Sequence, residues 1–140
     1  MMRNVEFRVW ADNELLPVDG LEFTDGVITQ IGTLYKDIWH ADVALKLGVV
    51  ELNQFTGIRD SSDKKKKIFE GDIVHFKSEM ISGLGIVKWN EKTGAWEIDD
   101  IRPRTKKRGH RIYPFYPEAA YRVDGNIHES PELLEARHDD

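Results

Sequence analysis

Residues 102–111, RPRTKKRGHR, hold six Lys/Arg side chains and no acid: Arg102, Arg104, Lys106, Lys107, Arg108 and Arg111. The rings of Tyr113, Phe115, Tyr116 and Tyr121 follow closely. Cations that hold a phosphate backbone, beside rings on which bases can stack, are what binding of a single-stranded nucleic acid requires. A second basic run, Lys64-Lys65-Lys66-Lys67, places four ammonium groups side by side. Such a run can contact phosphates and release counterions, giving salt-dependent binding without sequence preference. Each feature also has a plainer reading. The lysines suit a solvated loop between strands, and Pro114 and Pro117 lie in a segment whose aromatic residues could simply plug a core.

Other chemistry is poorly supported. Asp37, His40 and Asp42 lie close together but lack a ligand spacing such as H-E-x-x-H. His128 with Glu129 and Glu132, and the terminal His138-Asp139-Asp140, read as solvent-facing. No metal site and no cofactor are expected. Asp99-Asp100 reads as the end of a strand, because a glycosidase pair must face each other across a cleft. There is no G-x-S-x-G elbow, and Gly83-Leu84-Gly85 is neither a phosphate loop nor a dinucleotide fingerprint; it reads instead as glycines that let a strand kink. No catalytic residue is assigned, and the chain is expected not to be an enzyme. Trp10, Trp39, Trp89 and Trp96 read as core or interface material.

Composition suits a soluble globular protein rather than a disordered one. With 40% apolar and 32% charged residues, the 140-residue chain suits one ordinary domain or two small ones. It has no cysteine, which excludes disulfides, thiol catalysis and cysteine metal sites. No apolar run approaches a membrane span, and MMRNVEFRVW lacks the apolar core of a signal peptide. The expectation is a cytoplasmic protein without membrane contact. The net charge of −5 is unevenly spread: residues 1–51 and 113–140 are each −5, and residues 52–112 are +5. Acidic ends oppose a footprint over the whole surface but leave room for a local one.

These residues must be positioned by short strands. Val5-Glu6-Phe7-Arg8-Val9 alternates, and Asp12-Asn13-Glu14 supplies turn chemistry. Leu21-Glu22-Phe23 and Val27 to Ile31 follow, with Asp19-Gly20 and Asp25-Gly26 read as turns between strands. Residues 33–48 allow two readings. Ile38, Ala41, Ala44 and Leu45 fit a helical stripe ended by Gly48, while the Trp and Val content fits a strand and loop. A strand over 49–55 breaks at Thr56-Gly57. Residues 72–77 alternate, Ser82 to Gly85 reads as a bend, and 86–89 and 95–98 form strands around an Asn90–Gly94 loop. Tyr121-Arg122-Val123 adds a further strand. Ser130-Pro131 reads as the opening of a short terminal helix anchored by Leu133 and Leu134.

The stretch QFTGIRDSSDKKKKIFEGDIVHF (54–76), with Glu70-Gly71-Asp72, Gly125-Asn126-Ile127 and Ser130-Pro131-Glu132-Leu133-Leu134, resembles the YopX family of mostly phage- and prophage-encoded proteins. The match is weaker over 33–48 and 99–119. The resemblance implies an all-β fold: a small β-subdomain (1–56), then an SH3-like barrel (57–140) with a short C-terminal helix. It also implies that the four lysines replace a short polar, Gly-containing turn, and it transfers no catalytic residue. The expected function is that of a phage accessory protein in the bacterial host cytoplasm, binding nucleic acid through Lys64–Lys67 and the Arg102–Arg111 stretch. The alternative is a host- or phage-protein-binding module or a structural homo-oligomer.

Overall fold

A computed structural model describes residues 4–33, 37–38, 41–102 and 109–135. The architecture is all-β, with two antiparallel sheets and a short C-terminal helix. The chain divides into two compact units, residues 1–55 and 56–140.

In the first unit, β1 (Phe7–Ala11), β2 (Glu14–Thr24), β3 (Val27–Thr33), β4 (Asp37–Ile38) and the opening half of β5 (Glu51–Arg59) lie in the order β4-β3-β2-β1-β5. Asp12 and Asn13 both take positive φ, 52° and 61°, so the β1–β2 turn has the hand that matches strand twist. Asp25 and Gly26, at 50° and 80°, do the same between β2 and β3. Asp19-Gly20 differs from expectation. It lies inside β2, where the register against β3 shifts between Val18 and Gly20, so a bulge replaces the turn.

Of the two readings for residues 33–48, the described part contains both a two-residue strand and a short helix, α1 (Ala41–Lys46). Gly48 ends the helix at φ 71°, and the Gly48 and Val49 amides donate to the Leu45 and Ala44 carbonyls. That pair of bonds closes a helix C-terminus on a left-handed glycine. Val9, Ala11, Ile31, Ala41 and Val50 form the core, with Leu16, Leu21 and Leu45 packed against it.

The second unit continues β5 and adds β6 (Lys67–Phe69), β7 (Asp72–Lys77), β8 (Ser82–Asn90), β9 (Ala95–Asp100), β10 (Ile112–Pro114), β11 (Ala120–Asn126) and α2 (Glu132–Glu135). Its five-stranded sheet runs β10-β9-β8-β7-β11. Ile68, Val74, Phe76, Val87, Ile98, Tyr113 and Tyr121 make the core. Phe76 is its centre, with the Tyr113 ring edge-on at 5.0 Å and the Tyr121 ring at 6.0 Å.

Two expected breaks are continuous strand here. Thr56-Gly57 lies within β5, with Gly57 at φ 87°. Ser82 to Gly85 opens β8, and packing explains its glycines. A Cβ on Gly83 would sit 2.3 Å from the Phe76 ring, and one on Gly85 would sit 2.4 Å from the Asp99 carbonyl oxygen. The reversal instead comes at Ser78–Ile81, where the Ser78 amide donates to the Ile81 carbonyl and the Ile81 amide donates to Ser78 Oγ.

The family-like motifs have structural work of the same kind. Buried Gly71, at φ 87°, donates to the Val87 carbonyl and accepts from the Ile127 amide. Asp72 Oδ2 accepts the Phe69 amide at 2.7 Å. A Cβ on Gly125 would meet Ser130 Oγ at 2.4 Å, and Asn126 Oδ1 accepts the His128 and Glu129 amides.

Candidate nucleic-acid interface

The site begins where β5 ends. Burying a carboxylate is costly unless hydrogen bonds replace its water, and Asp60, only 2% exposed, is surrounded by donors. Its Oδ1 accepts the Ser62 amide (3.2 Å), the Ser62 hydroxyl (2.6 Å) and the Lys66 amide (2.9 Å). Its Oδ2 accepts the Val123 amide at 3.3 Å. Burial pushes the carboxyl up, but the Ser62 hydroxyl and the Val123, Ser62 and Lys66 amides together hold it below the ordinary aspartate range.

This carboxylate shapes the loop that carries the lysines. The Asp60 amide donates to the Lys66 carbonyl at 2.7 Å, and the Lys65 amide donates to the Ser62 carbonyl at 3.0 Å. Arg59 Nη1 donates to the Lys65 carbonyl at 3.1 Å. Lys65 is thereby held at φ 50°, a left-handed conformation that costs a side-chain-bearing residue about 1 kcal/mol or more. Lys64, Lys65 and Lys66 are exposed, and Lys67 opens β6 half-buried.

A cleft of about 490 Å³ lies beside the loop, lined in part by Arg59, Lys65, Phe115, Tyr116, Pro117 and Tyr121. Its aromatic wall is firmly held. The Tyr121 hydroxyl accepts the Tyr116 amide and donates to the Tyr116 carbonyl at 3.0 Å. The Phe115 ring lies 5.1 Å from Tyr121, and the Tyr116 ring 6.2 Å from Phe76. Burial, with Glu118 nearby, pushes the Tyr121 phenol up against the opposing bond to Tyr116, so it stays a hydroxyl. Ser61 ties the loop to β11: its amide donates to the Tyr121 carbonyl at 2.7 Å, and its Oγ accepts the Tyr121 amide at 2.9 Å.

The second basic run fares differently. Arg102 grips Asp100, with Nε 3.2 Å from Oδ1, and its Nη2 donates to the Tyr113 hydroxyl at 3.3 Å. It therefore braces the end of β9. Arg111 is exposed, and its carbonyl accepts the Asp100 amide at 3.0 Å. Arg104, Lys106, Lys107 and Arg108 lie outside the described residues. Of the aromatic residues, Tyr113 and Tyr121 are buried in the core, while Phe115 and Tyr116 sit at its margin.

Asp99 and Asp100, adjacent in β9, are separated by the strand's alternation. Asp100 is buried, whereas Asp99 accepts Lys88 Nζ at 2.8 Å and pairs with His110. Burial raises the Asp99 carboxyl, but Lys88 and His110 hold it below the ordinary range. No group of three or more His, Asp or Glu side chains suited to a metal ion occurs among the described residues. Trp39, His40 and His138 lie outside those residues, as do the side chains of Asp37 and Asp42.

Sequence reasoning missed Arg59 and Asp60. The signal available was the Asp60-Ser61-Ser62-Asp63 run, whose short polar side chains favour bonding to nearby amides.

Comparison with known proteins follows the same outline. A family model described as YopX protein matches residues 6–135. The crystal structure of protein yopX from Bacillus subtilis aligns with a TM-score of 0.63 at 20% identity, covering 95% of this chain and 99% of that one. At that identity the likeness is one of fold. A 65-residue stretch is 35% identical to part of a CCA-adding enzyme from Listeria innocua, covering 45% of this chain. The match spans 16% of that enzyme's length.

Proposed function

The chain belongs to the YopX family, and from that premise we propose that it is a phage or prophage accessory protein that acts by binding nucleic acid, without turnover, in the cytoplasm of a bacterial host. One observation carries the reading: Lys64, Lys65 and Lys66 stand exposed on a loop whose backbone is fixed by the buried Asp60 carboxylate. Ammonium groups on a fixed loop contact phosphates with less ordering cost than groups on a floppy one. The second unit, read as an SH3-like barrel, is the scaffold. The partial likeness to a CCA-adding enzyme brings no adding activity with it.

The test is fluorescence polarisation of labelled single- and double-stranded DNA and RNA at low and moderate salt. Binding should weaken steeply with salt. It should weaken when Lys64, Lys65, Lys66 and Lys67, or Arg104, Lys106, Lys107, Arg108 and Arg111, are replaced by Ser, with Arg102 kept because it braces the end of β9. Salt-insensitive binding, or none, defeats the reading.

A second reading is favoured by a separate feature of the first unit. Phe23 and Val27, 58% and 54% exposed, border an open cleft of about 790 Å³ that Leu45 and Lys46 also line. Exposed apolar side chains around a concavity suit a host- or phage-protein partner, or a homo-oligomer. Light scattering of the purified chain, with Phe23→Ser as the comparison, tests self-association: a mass that falls in the variant supports it, and a monomer in both defeats it.

A further inference from the structure

Lysines on an open loop need no cleft to meet a phosphate backbone, yet the second unit builds one beside them. We infer that this cleft takes one unpaired base, with the base against Phe115 and Tyr116 and its flanking phosphate on Lys65. The inference rests on the nucleic-acid reading above and narrows its ligand to single strands.

Three observations lead there. The first is the composition of the lining. Phe115, Tyr116, Pro117 and Ile58 provide apolar surface, and Arg59 and Lys65 provide the cations. Among the described residues the one carboxylate in the lining, Asp60, is 2% exposed and engaged by four donors. Asp63 and Glu118, both exposed, flank the cleft without lining it. A base within a duplex is covered on both faces by its neighbours, so only an unpaired one can present a face to these rings.

The second observation is rigidity. The Tyr121 hydroxyl holds the Tyr116 main chain through both its amide and its carbonyl, and Tyr121 and Phe76 back the two rings. Rings fixed in advance lose little freedom on stacking. The third is Lys65. It is the loop residue with left-handed φ, and Arg59 spends a guanidinium N–H on its carbonyl. Its side chain lines the cleft and is exposed, which leaves the ammonium group open to a phosphate. At about 490 Å³ the cleft falls in the size range of small-ligand sites.

The Tyr121 hydroxyl is engaged on both counts, as donor and as acceptor. Stacking tolerates any base because each has a π-face, so pyrimidine and purine strands should both bind.

The experiment is fluorescence anisotropy on the intact chain with three probes: an oligothymidylate of about ten nucleotides, an abasic strand of the same length, and a duplex closed at both ends by non-nucleotide linkers. The abasic strand keeps the phosphates and removes the bases. Oligothymidylate should bind at least about 5-fold more tightly than either other probe. Phe115→Leu and Tyr116→Leu keep apolar volume but remove the stacking face. They should bring oligothymidylate down to the abasic level and leave abasic binding unchanged. Lys65→Gly, at a φ that glycine prefers, should weaken both single strands.

Equal binding of the abasic strand, or of the duplex, by the unaltered chain overturns base capture and leaves the lysine-loop reading standing. Binding of none of the three overturns both. So does binding of a polyglutamate peptide in their place, which would assign the cleft to an acidic protein partner.

Discussion

The Asp60 carboxylate accepts the Val123 amide at 3.3 Å across 63 positions of sequence. The same carboxylate folds the loop that carries Lys64, Lys65 and Lys66. Strand β11 pairs with β7 along one edge. On its other edge, Asp60 Oδ2 and the Ser61 Oγ and amide occupy three backbone positions of Tyr121 and Val123. One acidic side chain thus covers part of a sheet edge and shapes the basic loop, tying the fold of the second unit to its candidate site. Covered edges resist unwanted strand pairing.

Removing that carboxylate should loosen both. Asp60→Ala leaves buried amides without an acceptor and is expected to cost about 3 kcal/mol in urea unfolding. Asp60→Asn keeps one oxygen acceptor and should cost about half as much. Equal stability of Asp60→Ala and the parent chain would contradict this role.

Acid should act through the same group. Asp60 is held below the ordinary aspartate value of 3.8, and Asp99 likewise. A lowered folded value means their stabilisation is complete above the unfolded value and disappears as pH falls through the folded one. Urea midpoints should be level from pH 7 to about 5 and then drop. In Asp60→Asn the drop should be shallower, and an identical decline would remove Asp60 as a cause.

The glycines of β8 should tolerate no side chain. A methyl on Gly83 meets the Phe76 ring and one on Gly85 meets the Asp99 backbone, whereas no atom of the described residues lies within 4 Å of a Cβ on Gly20. Gly83→Ala and Gly85→Ala are each expected to cost about 1–3 kcal/mol, with Gly85 the worse because backbone yields less than a ring. Gly20→Ala should stay within about 0.5 kcal/mol. Thermal unfolding of the three variants checks the order.

Lys65 should be better as glycine for folding and worse for binding. Its φ of 50° suits glycine, so Lys65→Gly should stabilise by about 0–1 kcal/mol once chain entropy is set against relieved strain. Lys64 is not among the positive-φ residues, so Lys64→Gly should destabilise by about 0.5 kcal/mol. Urea midpoints of the pair decide, and the reverse order would count against the loop conformation.

The loop lysines should also set the salt response. Replacing Lys64, Lys65 and Lys66 by Ser should reduce the slope of log affinity against log salt by about 2 on a single strand, at about 0.7 per phosphate contact. An unchanged slope would place the contacts elsewhere.

Much of the site lay beyond sequence reasoning for a definite reason. The basic character of 64–67 and 102–111 is visible as a list of cations. That Arg102 is committed to Asp100 and Tyr113, while Lys64 to Lys66 remain exposed, depends on which carboxylates and rings the sheet brings near. Likewise, Tyr113, Phe115, Tyr116 and Tyr121 look equivalent as letters. Strand alternation and the position of Phe76 bury two of them and leave two at the cleft margin.

By itself, the sequence determined what local chemistry determines. Asp12-Asn13 and Asp25-Gly26 turn their hairpins, alternation places 72–77 in a strand, and the 54–76 and 125–134 motifs identify the family. Only the tertiary structure decided whether Asp19-Gly20, Thr56-Gly57 and Gly83-Leu84-Gly85 would break the chain or run through it as strand. Turns depend on the φ preferences of adjacent residues and are written within a few positions. A glycine kept for close approach, or a carboxylate kept for a distant amide, answers to a neighbour that is near only after the chain has folded.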